Sequence, residues 1–161
     1  MSSSQEKIYW TQHAPIDRRK GEIVGSGIDR DINREGVKFA HALGRGVLNL
    51  AQKGELSDWG RLIISSPLRR ATSTSEIVAS YIDCKVEIDD RLRAQHFGDL
   101  EGMTFEEASS HPVLARHLHE NLSDEELDSD KAPGGESIAE ALARISEARS
   151  DHMDEDRRLL P

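Results

Sequence analysis

His13 closes a short strand-prone run, residues 7–13 (KIYWTQH), and Ala14-Pro15 follows at once. Ligands of open α/β sheets bind beyond the carboxyl ends of strands, so an imidazole at this point could serve catalysis. A purely structural histidine is the alternative. A second group is Ser66-Pro67-Leu68-Arg69-Arg70, where serine as N-cap and proline at the first helical position mark a helix start. Two arginines beside the positive end of a helix dipole would each cost about 0.3–1 kcal/mol unless an anion offsets them. A bound phosphate would do so, because backbone N–H groups and guanidinium forks would converge on it. Pairing of both arginines with nearby acids, or their solvation, would serve as well.

Other residues carry weaker signals. His111, His117 and His119 cluster near Glu120, but their spacing matches no common zinc signature and suits an exposed helix face. Gly25-Ser26-Gly27 follows no strand and lacks the third glycine of a dinucleotide fingerprint, so it reads as a turn. The single Cys84 can form no internal disulfide and reads as a buried or incidental thiol. A Gly-x-Ser-x-Gly nucleophile elbow is absent from the sequence.

The elements that must position these residues follow from pattern. Residues 7–13 suit a first strand, and residues 14–33, rich in glycine and charge, form a loop long enough to suggest function. Val37, Ala40, Leu43, Val47 and Leu50 recur at helical spacing until Gly54. Residues 61–65 (RLIIS) resemble a strand buried on both faces, a helix should run from Ser66-Pro67 to near Tyr81, and residues 86–88 form a third strand. Strands alternating with helices imply an α/β fold with a mainly parallel sheet, expected as a three-layer sandwich. Thr104 with Glu107 and Ser137 with Glu140 have capping-box spacing, so helices should open near Phe105 and Ile138. The acidic run at 120–130 reads as a solvated loop, set off from the last helix by Pro133-Gly134-Gly135.

The chain has 161 residues, enough for one domain with a real core, preceded by a polar tail at residues 1–6. No apolar run approaches the ~20 residues of a membrane span, and MSSSQEK does not resemble a secretory signal, so a cytoplasmic domain is expected. The net charge is −9, yet residues 120–161 carry 13 of the 30 acids and only 5 of the 21 bases. The first three quarters are therefore nearly balanced, which leaves room for an anionic ligand while arguing against nucleic acid.

In sum, these segments resemble the histidine phosphatase superfamily, the phosphoglycerate-mutase-like fold. Residues 8–15 (IYWTQHAP) look like its first strand and Arg-His-Gly motif, with His13 on the nucleophile. Residues 31–40 (DINREGVKFA) look like the opening of its first helix. Residues 63–74 (IISSPLRRATST) are similar to its Ser-x-Leu-x-Arg-Ala-x-x-Thr signature, which puts Arg70 on the phosphate-binding arginine. Residues 90–107 resemble its Phe-Gly-x-x-Glu-Gly block, and residues 133–137 (PGGES) its lead into a helix. The resemblance implies phosphomonoester hydrolysis through a phosphohistidine, with arginines holding the phosphoryl oxygens, a small phosphorylated metabolite as partner, and no metal or other cofactor. The small size and Ala14-Pro15 lean toward the phosphatase branch, including enzymes acting on α-ribazole phosphate.

The departures fall on the chemistry. Gln12 stands where the family has an arginine, and Ala94 where it has its acidic glutamate. Ile16 and Arg19 replace the usual Thr and Asn. The Ser-His-Gly motif that ends the family's last central strand is missing from the sequence, so the second catalytic histidine is too. A sheet without that strand would expose an edge, inviting pairing with a second copy. The expected site is then His13 as nucleophile, Gln12, Arg70, Arg69 and Ser66 around the phosphate, and Glu101 or His96 as stand-in proton donors. Impaired phosphomonoesterase activity is the leading expectation; a phosphatase-like binding protein and a piece of a longer phosphatase are the alternatives.

Overall fold

The computed structural model describes residues 9–56, 62–118 and 121–153; the polar tail, Arg61, His119 and Glu120 lie outside them. Helix α1 (Arg34–Gln52) has Asn33 as N-cap, accepting from Gly36 N–H at 2.8 Å, and its buried line is Gly36, Ala40 and Gly44 rather than the expected stripe: Val37 stays exposed and Leu43, Val47 and Leu50 are half-buried. Strand β1 (Leu62–Ser65), helix α2 (Arg69–Ile82) and strand β2 (Lys85–Ile88) follow, and the two strands pair in parallel from Leu62↔Lys85 to Ser65↔Ile88. A helix crossing between parallel strands is the α/β arrangement that the chain order implies. Helix α1 packs along α2 on this unit.

Three more expectations change around residues 9–13, β1 and the start of α2. Residues 9–13 form no strand, and residues 7 and 8 lie outside the described residues. Tyr9 and Trp10 stay exposed, no ladder forms at residues 9–13 among the described residues, and just after them Ala14 N–H donates to the Thr74 hydroxyl. β1 is not buried on both faces: β2 is its bonded neighbour among the described residues, and Leu62 remains 39% exposed, with burial complete only at Ser65. Finally, Ser66 does not cap α2. Its Oγ accepts only a long 3.4 Å bond from Leu68 N–H, and the helix opens two residues past Pro67 with Leu68 as a cap lacking any side-chain bond.

Downstream, helix α3 (Phe105–Ser109) opens on the capping box expected at Thr104 and Glu107, and helix α5 (Ile138–Met153) on that of Ser137 and Glu140. Within the acidic run, the short helix α4 (Asp124–Leu127) forms where a loop was expected, because Ser123 and Glu126 make a third capping box. The α5 end is tied to the turn after β2: Arg91 grips Asp89 and Asp151 at 2.8 Å each, and the His152 ring meets Asp89 at 2.9 Å.

The long loop is folded into a core of its own. Ile23 packs with Leu100, Ala108, Leu114, Leu118 and Ala132. Beside it the buried Glu22 carboxylate takes both arms of Arg30 at 2.7 and 2.8 Å and Arg19 N–H at 2.8 Å. Those bonds, the Arg30 pair foremost, hold Glu22 at about 2, well below the usual glutamate value. A depressed carboxylate adds stability above its unfolded value and gives it up as pH falls toward the folded one. The loop should therefore loosen between about pH 4.5 and 2, read as faster amide exchange at residues 15–33, and Glu22→Gln should flatten that limb of the pH profile.

Candidate active site

Ala14 is fully buried and forms the anchor point of His13. Its N–H donates to the Thr74 hydroxyl at 2.9 Å, and that hydroxyl donates to the Arg70 carbonyl at 2.6 Å. One side chain of α2 thus ties the residue after His13 to the helix turn that carries Arg70. The His13 Nδ1 lies 2.7 Å from the Ala14 carbonyl. A carbonyl can only accept, so Nδ1 is the protonated nitrogen of the neutral ring and Nε2 keeps a free lone pair. Desolvation pushes the imidazole below the usual histidine value, against the Ala14 bond, and the positive charges of Arg70 and Arg18 push the same way.

Arg70 is 2% exposed, and its guanidinium donates to the carbonyls of Ile28 at 2.8 Å and Gly25 at 3.1 Å. Burial works against its charge, and Asp29 and Glu101 offset the cost. The Gly25–Ile28 turn is pressed between Arg70 and Glu101. A Cβ at Gly25 would collide with Glu101 Oε1 and sit 2.5 Å from the Gln95 carbonyl, so only glycine lets the turn come this close. The triplet that reads as a turn is one, and it joins the two halves of the site.

Glu101 is nearly enclosed. Its Oε1 accepts from Phe97 N–H at 3.0 Å, and Oε2 is buried without a hydrogen-bond partner. His96 lies close, its Nδ1 3.7 Å from Glu101 Oε1, yet that nitrogen accepts from Gly98 N–H at 2.9 Å. With its lone pair so engaged, neutral His96 carries its proton on Nε2, which faces Gly27, and the contact is no ion pair. Gly98 has φ +57°, and a Cβ there would strike the Pro133 carbonyl, which seats this block on Pro133-Gly134-Gly135. Arg144 adds a fan of bonds to Glu136 and to the carbonyls of Arg91, Arg93 and Ala94. The backbone at position 94 is held although its side chain is a methyl.

Arg70, Glu101 and His96 meet around the Gly25–Ile28 turn, and His13 is joined to the Arg70 turn of α2 through Ala14 and Thr74, while Arg69 and Ser66 are led elsewhere. Asp29 Oδ1 accepts from Arg69 N–H at 2.7 Å, so a carboxylate of the chain caps α2 from outside the helix. Asp31 takes the exposed Arg69 guanidinium at 3.1 Å and the Ser73 hydroxyl at 2.6 Å. Arg69 is thus paired with an acid, whereas Arg70 spends N–H groups on the Ile28 and Gly25 carbonyls. The Gln12 side chain is exposed. His111 Nδ1 accepts from Leu114 N–H at 3.1 Å and His117 pairs with Asp130 at 2.8 Å, while His119 lies outside the described residues. Among the described residues, no group of three His, Cys, Asp or Glu side chains is placed to hold a metal. Thr74 closes the signature at residues 63–74 but was given no role there, and sequence reasoning missed Arg18, whose signal was its place five residues after His13.

These placements can be set beside known proteins. A sequence profile of the histidine phosphatase superfamily (branch 1) matches residues 8–158. The chain is 32% identical over 143 residues to phosphoglycerate mutase-like protein 4 of Arabidopsis thaliana, covering 88% of this chain and 58% of that protein. It is 30% identical over 137 residues to the uncharacterized phosphatase PhoE of Bacillus subtilis, covering 85% and 63%. The native mycobacterial glucosyl-3-phosphoglycerate phosphatase superposes with a TM-score of 0.67 at 27% identity, over 86% of this chain and 59% of that one. An α-ribazole phosphatase from Shigella flexneri shares the fold, with a TM-score of 0.62 at 19% identity. The chain spans between 25% and 63% of the length of the curated relatives it matches. No helix among the described residues is long and apolar enough to cross a membrane.

The geometry at His13 makes a direct prediction. Followed by NMR, its imidazole should titrate below 6.5, with Nδ1 as the protonated nitrogen of the neutral form. Gly25→Ala, which pushes the turn off Glu101 and the Gln95 carbonyl, should move that midpoint back toward 6.5 and destabilise the fold by about 1–3 kcal/mol.

Proposed function

Because the chain belongs to the histidine phosphatase superfamily, branch 1, we propose that it acts on phosphomonoesters through a phosphohistidine at His13. The observation that carries this reading is the fixed tautomer of His13 beside a buried arginine: a neutral ring whose Nε2 lone pair is free, on a backbone anchored through Thr74. In the first step Nε2 attacks phosphorus, the phosphorus–oxygen ester bond breaks, and the leaving alkoxide takes up a proton. Water then attacks phosphorus, the phosphorus–nitrogen bond breaks with its electron pair returning to Nε2, and inorganic phosphate leaves as the water gives up a proton to solvent. Arg70 supplies positive potential to the phosphoryl oxygens.

The leaving-group proton is the weak point. Ala94 has none to give, and of the two stand-ins His96 is the better placed, because its side chain is 43% exposed and Glu101 only 7%. Losing the family's general acid costs typically about 10²- to 10⁴-fold, and losing one oxyanion donor about 10²- to 10³-fold, so turnover should be slow. The Gln12 and Ala94 positions favour a second reading, a domain that holds phosphate without hydrolysing its esters. Small phosphorylated metabolites are the ligand class in both.

Hydrolysis of an aryl phosphate separates the two. Slow turnover abolished by His13→Ala is expected, and Gln12→Arg combined with Ala94→Glu should raise it by about 10²-fold or more. Phosphate-dependent thermal stabilisation with no turnover in either protein would establish the binding reading, and turnover unchanged in His13→Ala would remove His13 as the nucleophile.

A further inference from the structure

Two cations act on the His13 ring, Arg70 and Arg18. Their hydrogen bonding differs completely. Arg70 is buried and gives one N–H of each terminal nitrogen to the carbonyls of Ile28 and Gly25, so it offers charge from a guanidinium already tied to the backbone. Arg18 is exposed, and among the described residues its guanidinium has neither an ion pair nor a hydrogen bond. The other arginines of this face are committed: Arg19 to Glu107 and the Gly102 carbonyl, Arg30 to Glu22, Arg69 to Asp31.

Arg18 is nevertheless held in place. On one side the Asp17 carbonyl accepts from Arg30 at 3.0 Å, and the Asp17 carboxylate accepts from the Asn33 amide at 2.9 Å. On the other side Arg19 N–H donates to the buried Glu22 at 2.8 Å. The backbone on each side of residue 18 is therefore pinned, while its side chain is left to solvent on the same loop, five residues after His13. A guanidinium is the residue type suited to bidentate contact with phosphate, and a fixed base reduces the ordering cost of making that contact.

We propose that Arg18 is an anion-contacting residue of the His13 site, giving to a phosphoryl oxygen the charged donor that Gln12 cannot. The inference rests on the reading of His13 as a phosphate-facing residue and deepens it: this chain meets its ligand with one buried arginine behind the imidazole and one solvent-side arginine that engages on binding.

The test uses the full chain and inorganic phosphate, with the His13 imidazole resonance as the reporter and thermal unfolding as the control for folding. Lys20, a neighbouring exposed cation two residues further along the loop, is the charge-matched comparison. Arg18→Gln should weaken phosphate binding by about tenfold at low salt, Arg18→Lys by less, and Lys20→Gln scarcely at all, each with unchanged thermal unfolding. The Arg18→Gln loss should shrink as salt screens the exposed charge. Binding by Arg18→Gln equal to that of the unaltered chain would overturn this inference alone, as would equal losses in Arg18→Gln and Lys20→Gln. Failure of phosphate to shift the His13 resonance in the unaltered chain would overturn it together with the reading it rests on.

Discussion

A guanidinium cannot leave water unless its charge and its donors are answered, and the arrangement around Arg70 is the answer this chain has built. Two backbone carbonyls take its N–H groups and two carboxylates, Asp29 and Glu101, balance its charge. The carbonyls belong to a turn that must approach closely, so positions 25 and 27 are glycine. Because Glu101 lies behind that turn, the block around Phe97 and Gly98 has to dock there too, and Gly98 in turn meets Pro133. The demand of one buried cation thus propagates through the loop, the Phe97 block and the lead into α5.

The same network explains why the site is sturdier than its loop-rich appearance suggests. Glu22 and Arg30 lock the middle of the long loop, Ile23 plugs it into an apolar cluster, and Thr74 catches its start. Loops that carry function are normally positioned by a rigid scaffold. Here part of the scaffold is inside the loop.

Much of this was legible in the sequence, where the signal is local. The helix of α1, its stop before Gly54 and the capping boxes of α3 and α5 depend on residues within a few positions, and the structure has them, whereas the face that α1 buries is set by its close approach to α2 at Gly44. The Ser123 to Glu126 box was equally local but was submerged in an acidic run that reads as solvated. What could not be read depends on distant partners. Ser66-Pro67 is a valid helix start by local rules, yet the cap of α2 comes from Asp29, 40 residues away. A strand at residues 9–13 needs a ladder that the described residues do not provide, and its hydrogen-bonding end goes to Thr74 instead. Of the candidate site, His13 and Arg70 were reached through family motifs and Glu101 and His96 as stand-ins nearby, whereas the unpaired state of Arg18 emerges only once Arg19, Arg30 and Arg69 have found their acids.

The cap from Asp29 has a wider meaning. An anion-seeking helix end is often left for the ligand to fill, so that its order depends on occupancy. In this chain the carboxylate is part of the polypeptide, and the ordering entropy is spent during folding rather than at each encounter. Such a helix end is always occupied. Selection acting on the surrounding residues could therefore change, weaken or remove the chemistry at His13 without unravelling the architecture, and a fold insulated in this way can outlast its original reaction.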